Sequence, residues 1–240
     1  MTRHAPKLLP ALLLLLVPFS WATAPVVHPG KQGPPDTMAA RVQGCSTCHG
    51  PAGEGTPNGE YPRIAGKPQG YLFNQLRNFR DGRRSYPPMN YLLAYLQDDY
   101  LMEMAAFFAS QRLAIAAPEA SRLPAAQLAK GATLVRTGDA KRGIPACMAC
   151  HGKALTGINS GIPGLIGLHS RYISTQLQSW RSGTRSANKP DCMRDVAMRL
   201  TQDQITSVAA WLALQSAPIQ AAPAPPGRWK TPVPCGSQPQ

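Results

Sequence analysis

Two short cysteine motifs restrict the fold of this chain more than any other feature of its sequence. The first is CSTCH, from Cys45 to His49, and the second is CMACH, from Cys147 to His151. Two cysteines three positions apart, followed at once by a histidine, are the attachment signal of c-type haem. The motifs therefore predict two covalently bound haem c groups. Attachment would use Cys45, Cys48, Cys147 and Cys150, and the irons would be bound by His49 and His151.

A zinc site or a thiol redox pair is the alternative interpretation of either motif alone. A zinc site needs further cysteine or histidine ligands nearby. Neither motif is accompanied by a second C-x-x-C pair. We therefore expect haem at both motifs.

The sequence around the motifs is also repeated. The segment YPRIAGKPQGYLFNQLRNFRDGRR (61–84) matches IPGLIGLHSRYISTQLQSWRSGTR (162–185) through a proline, two glycines, a tyrosine, a glutamine, a leucine and two arginines. Further on, Met89–Asp99 matches Met193–Asp203. Such self-similarity indicates two tandem copies of one small domain.

Each copy has the pattern of a helical domain, because apolar residues recur at helical spacing and strand-like alternation is absent. We expect an all-α fold with one helix running from an N-cap at Asp36 toward Cys45. Further helices are predicted at Gln69–Arg80, Asp98–Arg112, Pro124–Arg136, Ser170–Trp180 and Thr201–Gln215. Three helices in about 100 residues make a thin core, which a large apolar cofactor would complete.

The second ligand of each iron has few histidine candidates. Besides the motif histidines the chain contains only His4, His28 and His169, and these do not occupy matched places in the two copies. Met89 and Met193 do, in expected loops before the last helix of each copy. We predict that Met89 and Met193 are axial ligands of the two haem irons. The alternative is that both methionines fill gaps in the core.

The N-terminal stretch is typical of a secretory signal peptide. Arg3 and Lys7 introduce an apolar run from Leu8 to Phe19, and the small residues around Ala24 form a cleavage site. The run is shorter than the ~20 residues of a membrane-spanning helix. We expect cleavage near Ala24 and export to the periplasm, with an uncleaved anchor as the alternative.

These patterns divide the chain into five segments: a signal peptide (1–24), a first copy (25–115), a linker (116–126), a second copy (127–216) and a proline-rich tail without regular structure (217–240). The tail contains Cys235, and Cys192 lies beside Met193. A disulfide between these cysteines would hold the tail over the second haem. Free thiols and pairing between molecules are the alternatives.

The formal net charge of the chain is +13. The excess lies in the second half, because residues 36–112 hold 8 basic and 7 acidic side chains, whereas residues 113–240 hold 14 and 5. Such a surface favours acidic proteins or an anionic membrane surface as partners. Nucleic acid is not expected, since no binding motif is present. A solvated surface that maintains solubility is the alternative.

The segments GATLVRTGDAKRGIPACMACHG, YLFNQLRNFRDGRR and MRDVAMRLTQDQI resemble the dihaem cytochrome c4 family, from about Met38 to Ser216. The resemblance implies two tandem cytochrome c-type domains related by pseudo-twofold symmetry, with the haem propionate edges close across their interface. It also implies His/Met ligation of both irons and a periplasmic role in passing electrons toward terminal oxidases.

Two irons with both axial positions filled suit electron transfer without catalysis, since nothing needs to bind to the metal. We expect an electron carrier between a cytochrome bc complex, or a dehydrogenase, and a terminal oxidase. A dedicated subunit or acceptor of a periplasmic dehydrogenase is the first alternative. A dihaem peroxidase or sulfur-compound oxidase is the second. The repeated pairs Arg80/Arg84 and Arg181/Arg185 would bind propionates or form solvated helix ends.

Overall fold

The structure, a computed structural model, describes residues 36–159, 161–218, 221–227 and 231–238. The predicted signal peptide and His28 lie outside these ranges. Within them the chain forms α1 (Met38–Arg41), α2 (Gln43–His49), α3 (Gln69–Arg80), α4 (Pro87–Leu93), α5 (Asp98–Ser110), α6 (Ala125–Thr137), a 3-10 turn (Ala140–Arg142), α7 (Cys147–His151), α8 (Ser170–Ser182), α9 (Cys192–Arg199) and α10 (Gln202–Ala213). A short antiparallel ribbon joins β1 (Gly157–Ile158) to β2 (Ile162–Pro163). The predicted all-α class is confirmed.

The first helix begins and ends differently from the prediction. Thr37, not Asp36, is its N-cap, and the Thr37 hydroxyl accepts a hydrogen bond from the Ala40 amide at 3.2 Å. The Asp36 carboxylate instead pairs with Arg41 at 2.7 Å. The helix is interrupted at Val42, whose side chain is buried in the first core, and α2 then carries the first motif.

The other predicted helices are present with small shifts at their ends. Helix α3 has the predicted bounds, and α8 extends to Ser182 rather than Trp180. Helix α5 ends at Ser110, and the Arg112 guanidinium then donates to the free carbonyl of Ala109 at 2.7 Å. Such side-chain contacts satisfy carbonyl groups that have no partner inside a helix.

Two short helices, α4 and α9, occupy the places where loops were predicted, so this prediction was wrong. Pro87 and Pro88 start α4. The first amide groups of a helix have no hydrogen-bond acceptor within the helix, so proline removes no hydrogen bond at these positions. Asp191 caps α9, and its side chain accepts a hydrogen bond from the Arg194 amide at 3.1 Å. Each of these helices carries one of the two candidate methionines near its start.

Each half has its own apolar core. The first consists of Val42, Leu72, Phe79, Leu93, Leu101, Met104, Ala105 and Phe108. The second is larger and brings α6, α8, α9 and α10 together. Helix α6 approaches α10 at Gly131, where a Cβ atom would lie 2.2 Å from the carbonyl oxygen of Ser207. Glycine at this position therefore permits the close packing of the second half.

The two halves are joined by matched segments. Arg84 and Arg185 form an antiparallel bridge. It is flanked by backbone hydrogen bonds from Ser85 to Thr184 (2.8 Å) and from Ser186 to Arg83 (2.6 Å). Because each half offers the same segment to the other, the interface has the reciprocal form of a twofold contact.

The described part of the tail contains no helix, yet it is attached to the second half. Ala224 exchanges backbone hydrogen bonds with the β1 region, at 2.9 Å to Gly157 and 2.8 Å from Asn159. Cys192 and Cys235 form a disulfide, which settles the alternatives for these two cysteines. In the described ranges, no helix has the length and apolar character to cross a membrane.

Candidate cofactor clefts

Both motifs end a short helix at the histidine. Helix α2 ends at His49 and α7 ends at His151, and each is followed by a glycine with a φ of 86°. Residues other than glycine rarely adopt such a positive φ, so the glycine lets the chain leave the helix directly after the histidine. The four motif cysteines form no disulfide with one another.

The two motif histidines are held in the same way. The Nδ1 atom of His49 lies 2.9 Å from the carbonyl oxygen of Pro62, and that of His151 lies 2.8 Å from the carbonyl oxygen of Pro163. A carbonyl only accepts, so Nδ1 carries the hydrogen and Nε2 presents its lone pair. Burial lowers the pKa of both imidazoles and favours the neutral form that binds metals.

The second half contains a large cleft beside its motif. Its empty volume is about 1430 Å³, including the space at its open mouth. Cys147, Cys150, His151 and Met193 all line it. The structure thus brings together the four residues that the sequence predicted for the second site.

The rest of this cleft has two kinds of wall. Apolar side chains form most of it, including Ile173, Leu177 and Leu212. Polar groups from the contact between the halves line another part, among them Arg185. An apolar body with acidic groups on one edge fits this division. Haem has that form, because its flat macrocycle carries two propionate carboxylates.

The residues predicted for the first site lie around the first core. Cys45 and Met89 are both partly buried and pack against that core. His49 is also partly buried, and its ring meets that of Tyr61 edge-on at a centroid distance of 6.1 Å. The first site therefore has the same elements in the same chain order as the second, with Met89 on α4 and Met193 on α9.

Two buried guanidinium groups stand between the sites. Arg84 donates to Gln75 and to Gln176, at 2.9 and 2.7 Å, and Arg185 donates to the same two side-chain oxygens at 2.9 and 2.7 Å. Each cation also packs over a ring of its own half, Phe79 at 4.5 Å and Trp180 at 3.8 Å. The network is reciprocal, since each arginine contacts glutamines of both halves.

These arginines have no carboxylate partner among the ion pairs of the described residues. Only 8% of Arg84 and 4% of Arg185 is exposed. Burial lowers the pKa of Arg185, and the charge of Arg84 lowers it further. Buried cations need compensating charge, and the propionates of haem would supply it. Arg84 and Arg185 are thus not solvated helix ends.

The other two repeated arginines behave differently. Arg80 pairs with Asp81 at 2.9 Å and with Asp98 at 2.6 Å on the surface of the first half. Arg181 is exposed. The proposed propionate role therefore applies only to the second member of each pair.

The geometry supports neither His169 as a second iron ligand nor a zinc site among the described residues. His169 pairs with Glu119 at 2.5 Å and is not among the residues that line the second cleft. In the part of the chain that the structure describes, no group of three or more histidine, cysteine or acidic side chains is arranged to hold a metal ion.

The sequence analysis missed one further part of the second cleft and anticipated another. Lys67, from the first half, lines it and donates to the carbonyl of Gly164 at 3.1 Å. Tail residues line it as well, among them Val233, Cys235 and Ser237. The only sequence signal for the lysine was that Lys67 stands where the repeat has Leu168. The signal for the tail residues was Cys235.

Comparison with known proteins places these features in context. The cytochrome c family model matches residues 38–117 and 128–215. The thiosulfate dehydrogenase electron acceptor of Thiomonas intermedia is 36% identical over 203 residues, which are 85% of this chain and 86% of that protein. Cytochrome c4 of Pseudomonas aeruginosa is 34% identical over 176 residues, covering 72% and 84% of the two chains. The crystal structure of reduced cytochrome c4 from Pseudomonas stutzeri superimposes with a TM-score of 0.65 at 29% identity, covering 75% and 97%.

Proposed function

The chain belongs to the cytochrome c family as a dihaem electron-transfer cytochrome with two covalently bound haem c groups, and from this premise we propose that it accepts single electrons from a periplasmic dehydrogenase. The compound oxidised by that dehydrogenase is thiosulfate. The observation that carries the proposal is the pair of matched histidine sites that meet at one buried arginine network. The likeness to a thiosulfate dehydrogenase electron acceptor supports the choice of donor.

Each haem would be attached, and its iron bound, by residues of its own half. Cys45 and Cys48 would attach the first haem, and His49 and Met89 would bind its iron. In the second half the matching set is Cys147, Cys150, His151 and Met193. The shared cleft of the second set and the carbonyl contacts of both histidines support this assignment.

The bound haem supplies one-electron redox chemistry, and the protein residues position and shield it. The carbonyls of Pro62 and Pro163 fix the two imidazoles, and the apolar cores keep water away. Arg84 and Arg185 compensate negative charge where the halves meet. A histidine and a methionine would bind each iron, so electron transfer would need no substrate at the metal, in keeping with relatives that are electron carriers or electron acceptors.

The periplasm is the proposed location. The disulfide between Cys192 and Cys235 supports it, because such bonds persist in oxidising compartments. The signal-peptide pattern of the first 24 residues supports it as well.

A second candidate function is electron transfer from a cytochrome bc complex to a terminal oxidase. The cytochrome c4 relatives favour it, since that likeness also spans most of the chain. In either case the basic second half would contact acidic partner surfaces, and the encounter would weaken as salt is added.

Stopped-flow spectroscopy distinguishes the two functions. The oxidised holoprotein is mixed with a purified thiosulfate dehydrogenase and thiosulfate, and haem reduction is followed by absorbance. The control omits thiosulfate. We expect rapid reduction of both haems that slows with added salt. If thiosulfate and its dehydrogenase leave the haems oxidised while a quinol-supplied cytochrome bc complex reduces them, the donor assignment is wrong and the second candidate is correct.

A further inference from the structure

Lys67 belongs to the first half but lies in the cofactor cleft of the second. It precedes α3, and its Nζ atom donates to the carbonyl oxygen of Gly164, 3.1 Å away across the contact between the halves. Its neighbours in the cleft wall include Tyr71 and Gln75. A cation of one half is therefore built into the other half's cofactor site.

The ammonium group has no acidic partner among the described residues. None of the ion pairs formed by the described residues includes Lys67. Burial lowers its pKa to about 8, and the Tyr172 hydroxyl only partly opposes this effect. A half-buried charge with one carbonyl contact is costly unless an anion compensates it. The cleft is thus prepared for a ligand that brings negative charge.

The repeat does not supply the same cation to the first site. The position that matches Lys67 is Leu168, which is 9% exposed and belongs to the second apolar core. Arg84 and Arg185, in contrast, are matched positions of the repeat, and each donates to a glutamine of the other half. Of these three cations, Lys67 is the one that the repeat does not copy.

We propose that Lys67 pairs with a propionate carboxylate of the second haem and raises the reduction potential of that haem relative to the first. A positive charge stabilises the reduced iron, which carries one positive charge less than the oxidised iron. Lys67 and the proposed iron ligand His151 line the same cleft. The proposal rests on the haem-binding part of the proposed function and not on the identity of the donor.

The test is a spectroelectrochemical titration of the Lys67→Gln holoprotein. Mass spectrometry first establishes that both haems are attached, which tests the haem assignment separately. The haem-methyl NMR signals, assigned through neighbouring side chains, then report each potential. We expect the reduction equilibrium constant of the second haem to fall on the order of tenfold, or about 59 mV for one electron. The first haem should be unchanged.

Two variants separate charge from structure. Lys67→Arg keeps the charge and should retain the wild-type potential. Lys153→Gln removes an exposed lysine of the second half and should have little effect, because water screens it. If Lys67→Gln does not accumulate, Lys67→Met fills the same space without charge and is measured in its place.

An unchanged second potential in the uncharged variant would overturn the proposal. So would an equal fall in Lys67→Arg, since that result would mean that the lysine acts only through packing. A comparable fall in Lys153→Gln would show that any nearby charge has the same effect and would also overturn it.

Discussion

Breaking the bond between Cys192 and Cys235 should loosen the cover of the second haem. The tail residues after Ser216 lie outside the segments that match the cytochrome c family model. They nevertheless line the second cleft and contact both halves, since the Asn74 amide donates to the carbonyl of Ser237 at 3.2 Å. The variant is Cys235→Ser, because Cys192 adjoins Met193 and is better left in place.

The expected loss of stability follows from the length of the closed loop. The two cysteines are separated by 43 positions. For a loop of this size, the entropy that the bond removes from the unfolded chain corresponds to about 4 kcal/mol at 25 °C. The native tail also has backbone hydrogen bonds of its own, such as the one from Gly236 to Pro190 at 2.8 Å. The variant should therefore fold, with a free energy of unfolding lower by up to that amount.

Two measurements follow from this estimate. Guanidinium denaturation, followed by circular dichroism and haem absorbance, should show a lower midpoint. Carbon monoxide binding to the reduced protein should become faster at the second haem and stay unchanged at the first, because described tail residues line the second cleft. The double variant Cys192→Ser/Cys235→Ser controls for the free thiol and should behave in the same way.

The reasoning fails if the single and double variants lose less than about 1 kcal/mol and bind carbon monoxide at the wild-type rate. That result would mean that the tail neither restrains the second half nor shields its haem.

Three further predictions concern the ligands, the arginine network and the linker. Met193→Ala should keep both haems attached while lowering the second potential, as measured by redox titration, because a thioether ligand raises the potential; an unchanged potential would mean that another residue is the ligand. Arg185→Gln should cost about 1–3 kcal/mol in chemical denaturation, since it leaves buried acceptors such as the Gln75 side-chain oxygen with fewer donors; a loss no larger than that of Arg181→Gln would contradict this. Although burial alone would raise it, hydrogen bonds from Ser170 and His169 hold the pKa of Glu119 below its usual value. Glu119→Gln should therefore cost about 1 kcal/mol near neutral pH, and the difference should disappear as pH falls through the lowered pKa of Glu119; a cost independent of pH would refute the assignment.

The sequence predicted the features that repeat at fixed spacing. The motif at Cys147 to His151 predicted a haem site, and the structure places Met193 in the same cleft. The period of apolar residues predicted α3 with its observed bounds. These features depend on residues that are close together in the sequence, so local sequence patterns are enough to predict them.

Other features depend on contacts between distant segments, which no local pattern reports. The loops predicted around Met89 and Met193 are short helices, because proline at the start of α4 and the Asp191 cap of α9 favour helix where apolar periodicity is weak. The contact of Lys67 with Gly164 spans 97 positions. It arises only when the two halves meet.

The duplication explains why the cleft-wall lysine matters for electron flow. A reciprocal network such as that of Arg84 and Arg185 adds the same charge to both sites, so by itself it leaves the two potentials equal. Equal potentials give an electron no preferred site. A charge that the symmetry does not copy makes the two sites unequal, and Lys67, which stands where the repeat has Leu168, provides one. Because the lysine of one half acts on the haem of the other, this difference exists only while the two halves are docked. The electron should then rest on the second haem, which the tail also covers.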